Sequence, residues 1–113
     1  AASGKVVSRI ANVGGVASFV LTIPVRGTSA MNPTFSGLNE KVSAMTDGIV
    51  YRAQGSPALS SWNAVVTEVT GADKTAIETG LPGLDGGWFY RTFTTGPVSG
   101  ASKKFMRAVI EQP

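Results

Sequence analysis

The sequence predicts an all-β fold, an antiparallel β-sandwich of the immunoglobulin-like or jelly-roll kind. Its 113 residues include 14 Gly and 6 Pro, which place turns too often for long helices. Short segments with apolar residues at every second position recur between those turns. Only 15% of the residues are charged, and Ser, Thr, Asn and Gly occupy many of the remaining polar positions. We expect six or seven short strands in a single domain spanning residues 1–113.

The first part of the chain predicts a hairpin. Residues 5–12 indicate a short strand, which ends in a turn at Gly14–Gly15. Residues 17–25 form the clearest strand, because their apolar side chains alternate with a period of two. Pro24 cannot donate a backbone hydrogen bond, so we expect an edge position or a bulge there. Residues 27–39 predict a loop or a poorly regular strand.

Four later segments have the composition of strands, and one has helical character. The strands are predicted over residues 49–54, 64–70, 88–94 and 103–111. Asp47–Gly48 gives a turn signal in front of the first of them. The helical character of residues 71–79 ends at Gly80 and Pro82.

Composition excludes several functions. The chain has no Cys and no His, so it lacks the usual ligands of structural zinc and the base of Ser-His-Asp and Cys-His systems. The net charge of +3 is scattered and clusters only at Lys103, Lys104 and Arg107, so we expect no nucleic-acid binding. No apolar run reaches the roughly 18–20 residues of a membrane span. The start, Ala1–Ser3, has no signal-peptide pattern, and we interpret the chain as a module excised from a longer protein.

The acidic residues predict neither catalysis nor a defined metal site. A glycosidase needs two carboxylates roughly 5–10 Å apart across a cleft, and no pair stands out. Asp47 and Asp85 each precede Gly, where Asp commonly serves a turn. We therefore expect no enzyme and no cofactor. The alternative is a calcium ion held by Asp73, Asp85 and loop carbonyls, although no D-x-D-x-D-G loop is present.

Four aromatic residues and one arginine are the candidate ligand-binding residues: Tyr51, Trp62, Trp88, Tyr90 and Arg91. Strand alternation places Trp88 and Tyr90 on one face and Phe89 and Phe93 on the other. With the phenylalanines in the core, the first pair is half exposed and able to stack on sugar rings. The alternative interpretation is that Trp62 and Trp88 are core residues at the ends of a sandwich.

Three arginines within predicted strands have two interpretations: Arg52, Arg91 and Arg107. Converging on one place, they would bind an anionic ligand such as a sulfated or uronic sugar. Strand arginines more often pair with a carboxylate across the sheet or cover an aromatic face. Glu68 and Glu111 are the available partners.

Six short motifs lie within the segment from Phe19 to Ile110. The motifs are V-R-G at 25–27, D-G-I-V-Y-R at 47–52, G-S-P-A-L-S-S-W at 55–62, L-P-G-L at 81–84, G-W-F-Y-R-T-F at 87–93 and K-F-M-R-A-V at 104–109. The series resembles a terminal module of large secreted proteins of verrucomicrobial and planctomycete-type bacteria. The resemblance implies a secreted or cell-surface location beside attached catalytic or adhesive domains, and it assigns no functional residue.

The function that we predict is that of a non-catalytic accessory module of an extracellular bacterial protein, binding a polysaccharide. The alternative is a structural spacer, a sorting domain or an adhesion domain with no small ligand. Exposure of the aromatic side chains distinguishes these two predictions.

Overall fold

The structure is a computed structural model that describes residues 6–29, 31–56, 64–84, 86–97 and 105–112. Within these ranges the chain forms eight strands and one helix. In chain order they are β1 (Val7–Val13), β2 (Val16–Arg26), β3 (Phe35–Ser36), β4 (Lys41–Ser43), β5 (Val50–Ser56), β6 (Thr67–Val69), α1 (Gly71–Glu78), β7 (Trp88–Pro97) and β8 (Phe105–Glu111).

The strands form two four-stranded antiparallel sheets that pack face to face. One sheet has the order β1-β2-β7-β6 and the other has the order β3-β4-β5-β8. The predicted all-β sandwich is confirmed. Between the sheets lies a core of buried side chains: Leu21, Ile23, Val25, Tyr51, Ala53, Val66 and Phe93. Burial of each large apolar side chain in such a core contributes roughly 1.5–3 kcal/mol.

The β1–β2 hairpin forms where the sequence predicts it. Gly14 and Gly15 have φ angles of 60° and 80°, and Val13 pairs with Val16 across the turn. A two-residue hairpin turn with two positive φ angles follows the right-handed twist of its strands, and glycine adopts these angles without a steric penalty.

The structure contradicts both parts of the Pro24 prediction. β2 is an interior strand, and its register shift lies between Phe19 and Val20 rather than at Pro24. However, β1 pairs with β2 only as far as Thr22, opposite Val7. Among the described residues, Pro24 has one strand neighbour, β7, where it pairs with Tyr90.

Helix α1 covers the outer face of the first sheet. Ile77 packs with Val20 and Val69 in a second buried cluster, which the partly buried Ala11 and Val13 extend. The predicted helical segment is thus confirmed, and Gly80, with a φ angle of 87°, follows its end. Of the residues described, none belongs to a helix with the length and apolar character needed to cross a bilayer.

The sequence patterns miss β4 and give β6 bounds that are too wide, whereas β3 lies within the segment predicted as a loop or a poorly regular strand. β3 and β4 have two and three residues, which is too few to show an alternation of apolar side chains. Their backbone pairing identifies them as strands, β3 with β4 and β4 with β5. β6 begins only at Thr67, since Ala64 and Val66 donate their backbone N–H groups to carbonyls of Gly55 and Leu38 in the opposite half of the sandwich.

The first strand starts and the last strand finishes at the same end of the sandwich. The backbone N–H of Arg26, at the end of β2, donates to the Tyr51 hydroxyl near the start of β5 over 3.2 Å. β5 therefore starts where β2 finishes, and we call this the Arg26 end. Because β1 is antiparallel to β2 and β8 is antiparallel to β5, β1 starts and β8 finishes there. Both are edge strands of their sheets.

Candidate functional site

Tyr51 lies in the core, so it is no longer a candidate ligand-binding residue. Its side chain is 1% exposed and packs between the two sheets. Its hydroxyl accepts the backbone N–H of Arg26, which fixes the ring. No face of this ring is open to a sugar.

Arg91 is also a core residue, and its proposed role in ligand binding is wrong. It is 1% exposed, and its guanidinium donates to both carboxylate oxygens of Glu68 over 2.6 and 3.0 Å. A third donor reaches the carbonyl of Pro33 over 2.6 Å, and the ring of Phe35 lies 4.8 Å from the guanidinium carbon. All of these partners are internal, so Arg91 joins β6, β7 and the segment before β3.

The other two strand arginines lie on the outer face of the opposite sheet, so the three do not converge. Arg52 donates to Glu111 over 2.7 Å and to Glu40 over 2.8 Å. The hydrogen bond from Arg52 to Glu111 raises the pKa of the guanidinium above its usual value, and the charge of Glu40 adds to the effect. Arg107 donates to the side chain of Gln54 over 2.8 Å. The pairing interpretation is confirmed for Arg91, which pairs with Glu68, and for Arg52, which pairs with Glu111.

Trp88 lies at the surface of the first sheet beside an ion pair. It is half-buried at the start of β7, directly across from Arg26 at the end of β2. The Arg26 guanidinium carbon lies 5.8 Å from the centroid of the indole ring. Nε of Arg26 donates to the Asp47 carboxylate over 2.8 Å, and the side chains of Arg26 and Asp47 are 42% and 62% exposed. We call Arg26, Asp47, Trp88 and Tyr90 the Trp88 patch.

Two local turns position the ion pair. Asp47 and Gly48 have φ angles of 50° and 73°, and Thr46 and Ile49 exchange backbone hydrogen bonds around them. This two-residue hairpin turn, which the sequence predicts, joins β4 to β5 and brings the Asp47 carboxylate to Arg26. On the other side, Gly87 has a φ angle of 85°, and a Cβ there would lie 3.2 Å from Nη1 of Arg26. The guanidinium thus occupies space that a side chain at this position would need.

Tyr90 lies two residues along the same face of β7. Phe93 is buried between the sheets, whereas Thr92 donates to Glu78 of α1 on the opposite face, which is the alternation that the sequence predicts. Tyr90 is half-buried, and its hydroxyl donates to the carbonyl of Pro82 over 2.6 Å. Its ring is therefore held in one position next to Trp88 along the strand.

The polar groups of the Trp88 patch are only partly used within the protein. Across the described ranges, the indole N–H of Trp88, the terminal nitrogens of Arg26 and one oxygen of Asp47 have no hydrogen-bond partner. No side-chain nitrogen or oxygen is both buried and unpartnered there, so these groups face solvent. By contrast, Arg91 uses all three of its guanidinium nitrogens internally. The patch offers a ring, several donors and an acceptor on an open surface.

Sequence reasoning missed Arg26 and Asp47. The sequence identifies Asp47 only as a turn residue, and the pairing of Arg26 with Trp88 depends on a strand register that the sequence does not contain. The signal that was available is the period of two within β2, which places Arg26 on the face opposite Val25.

Some predicted residues lie outside the described part of the chain. They are Trp62, Asp85, Lys103 and Lys104. Of the calcium ligands considered, Asp73 accepts the backbone N–H of Gly14 over 2.9 Å. Within the described ranges, no three acidic side chains come together as metal ligands.

Comparison with known proteins gives no relative from which to transfer a function. No protein-family model, no curated protein and no solved structure matches this chain.

Proposed function

We propose that this chain is a non-catalytic module that binds a polysaccharide through the Trp88 patch. The observation that carries the proposal is the half-buried indole ring of Trp88 beside the Arg26–Asp47 pair, whose remaining polar atoms face solvent. A sugar ring presents C–H groups on its face and hydroxyls at its rim. An aromatic ring flanked by hydrogen-bonding side chains is complementary to both.

The shape of the patch favours a polymer. Trp88 and Tyr90 follow one another along β7, and Arg26 is on the adjacent strand, so the binding groups lie along a sheet surface. An extended surface of this kind contacts successive units of a chain, whereas a small ligand would be held in a pocket. The hydrogen bond between Tyr90 and Pro82 orders its ring before binding, which lowers the entropic cost of association.

The state of the carboxylates supports a non-catalytic role. Each carboxylate in the described ranges accepts a hydrogen bond from a side chain or from the backbone: Glu40, Asp47, Glu68, Asp73, Glu78 and Glu111. Glu40 and Glu111 share the guanidinium of Arg52 on an open sheet face. The described carboxylates are therefore already engaged within the protein, and none of them is left without a partner.

We further propose that the module serves a secreted bacterial protein, as the motif resemblance implies, and directs an attached domain to its polysaccharide. The alternative, a spacer, sorting or adhesion domain with no small ligand, makes the opposite prediction for binding in solution.

Affinity electrophoresis tests the proposal. The purified chain is run in native gels that contain one of a panel of plant and algal polysaccharides, beside Trp88→Ala and Leu38→Ala. Leu38 is 66% exposed and lies in the β3–β4 turn, away from the patch, so its variant is the matched control. We expect at least one polysaccharide to retard the wild type and Leu38→Ala but not Trp88→Ala. Thermal unfolding of each variant establishes that it is folded.

Absence of retardation across the panel would favour the spacer, sorting or adhesion alternative. Retardation that is unchanged in folded Trp88→Ala would remove the patch from the binding surface.

A further inference from the structure

We infer that Asp47 makes the Trp88 patch selective for uncharged polysaccharides and against anionic ones. This inference rests on the proposed function and names the substrate class of the same site. It assigns to a turn residue the role of a specificity determinant.

Arg26 places a positive charge at the Trp88 ring. Among the described residues, two arginines lie over aromatic rings, Arg26 over Trp88 and Arg91 over Phe35, and the second of these is buried. Arg26 is therefore the cation that a ligand in contact with the half-buried Trp88 ring would meet. An uncompensated arginine there would attract uronic or sulfated sugars through its fork of donors.

Asp47 cancels that attraction. Its carboxylate lies 2.8 Å from Nε of Arg26 and is 62% exposed, so it faces the same solvent from which a ligand approaches. A carboxylate or sulfate that reached Arg26 would have to displace Asp47 or remain next to its negative charge. Like charges in this arrangement oppose binding.

A neutral sugar meets no such opposition. A hydroxyl both donates and accepts, and the Arg26–Asp47 pair offers terminal N–H donors beside a free carboxylate oxygen. Two neighbouring hydroxyls of one sugar can thus accept from Arg26 and donate to Asp47 while its C–H groups contact the part of the Trp88 ring that Arg26 leaves uncovered. Hydrogen bonds to charged partners are stronger than those between neutral groups, so both contacts stabilise the bound neutral sugar.

The substitution Asp47→Asn isolates the charge. Asp47 has a φ angle of 50°, and asparagine tolerates this left-handed conformation as well as aspartate does. The amide oxygen of asparagine can still accept from Nε of Arg26, so the turn and the position of the guanidinium are retained. Asp73→Asn is the matched control, because it changes the net charge equally at the start of α1, beside Gly14 and away from the patch.

The experiment compares dissociation constants from affinity electrophoresis in neutral and anionic polysaccharides. The gels contain β-glucan, xylan or galactomannan in one series and polygalacturonate, alginate or carrageenan in the other, each at low and at high salt. We expect the wild type and Asp73→Asn to bind a neutral polymer with little dependence on salt. Asp47→Asn should bind an anionic polymer about fivefold more tightly than Asp73→Asn does, an advantage that high salt and Arg26→Gln each abolish.

The outcomes separate the two proposals. Trp88-dependent binding of the wild type to an anionic polymer, or equal binding of Asp47→Asn and Asp73→Asn to anionic polymers, overturns the inference and leaves carbohydrate binding intact. Absence of Trp88-dependent binding to any polymer overturns the proposed function and the inference with it.

Discussion

Removal of Glu68 should destabilise this protein more than the loss of an ordinary surface ion pair. Arg91 is 1% exposed and Glu68 is 15% exposed, so solvent screens the pair only weakly. Glu68→Leu removes two of the three hydrogen bonds of Arg91 and leaves a buried cation with only the carbonyl of Pro33 as a hydrogen-bond acceptor. Breaking a buried pair in this way costs about 3–5 kcal/mol.

The second substitution should restore about half of that loss. In the double variant Arg91→Met/Glu68→Leu, neither charge of the pair remains. The remaining loss of stability comes from the carbonyl of Pro33, which no longer has a hydrogen-bond donor. An unsatisfied buried carbonyl costs about 1–3 kcal/mol. The double variant is therefore expected to be more stable than Glu68→Leu by about 2 kcal/mol, despite carrying one more substitution in the core.

Urea unfolding followed by tryptophan fluorescence measures both effects. With an m value of about 1.5 kcal/mol per molar urea, Glu68→Leu lowers the midpoint by about 2–3 M. In thermal unfolding the same loss corresponds to about 12–20 °C for a chain of this length. A double variant less stable than Glu68→Leu, or a cost of Glu68→Leu below about 1 kcal/mol, would refute the reasoning.

Three further predictions concern stability. A Cβ at Gly55 would lie 2.8 Å from Oγ1 of Thr95, so Gly55→Ala should cost about 1–3 kcal/mol in urea unfolding, whereas Gly83→Ala, which meets no atom within 4 Å, should change stability by less than about 0.5 kcal/mol. Ile77→Ala removes a 3% exposed side chain that holds α1 on the sheet; it should cost about 2–4 kcal/mol and increase amide exchange in the helix. The pKa of Arg52 is higher in the folded protein than in the unfolded chain, so the contribution of Arg52 to stability is fully present below the unfolded pKa and is lost only above the folded pKa. Both pKa values lie above pH 9, so the effect of Arg52→Met on the urea midpoint should be the same at pH 6 and at pH 9.

Strand alternation predicted the long strands because each carries enough residues to show a period. β2 and β7 have eleven and ten residues, whereas β3 has two, and its pairing with β4 arises from contacts distant in sequence. Strand alternation also predicts the burial of Tyr51 and Arg91, two of the candidate ligand-binding residues. Arg52 and Gln54 share the outer face of β5, which sends Tyr51 inward, and Arg91 alternates in phase with Phe93, which places it in the core.

The candidate site could be predicted only in part. Trp88 and Tyr90 follow from the alternation of one strand, since both are on the face opposite Phe93. Arg26 and Asp47 are 62 and 41 positions away from Trp88 in the chain, and a strand register and a turn in the second sheet bring them together. A single sequence has no local pattern that reports such an arrangement.

The shared end of β1 and β8 determines how the sandwich responds to tension. A force applied between Val7 and Glu111 pulls on the edge strands β1 and β8 at the same end of the sandwich. The backbone hydrogen bonds from β1 to β2 and from β8 to β5 then break one pair after another, starting at that end. A fold pulled through opposite ends would instead load a whole row of bonds in shear, which resists far greater force. The geometry therefore predicts low resistance to a force applied between Val7 and Glu111.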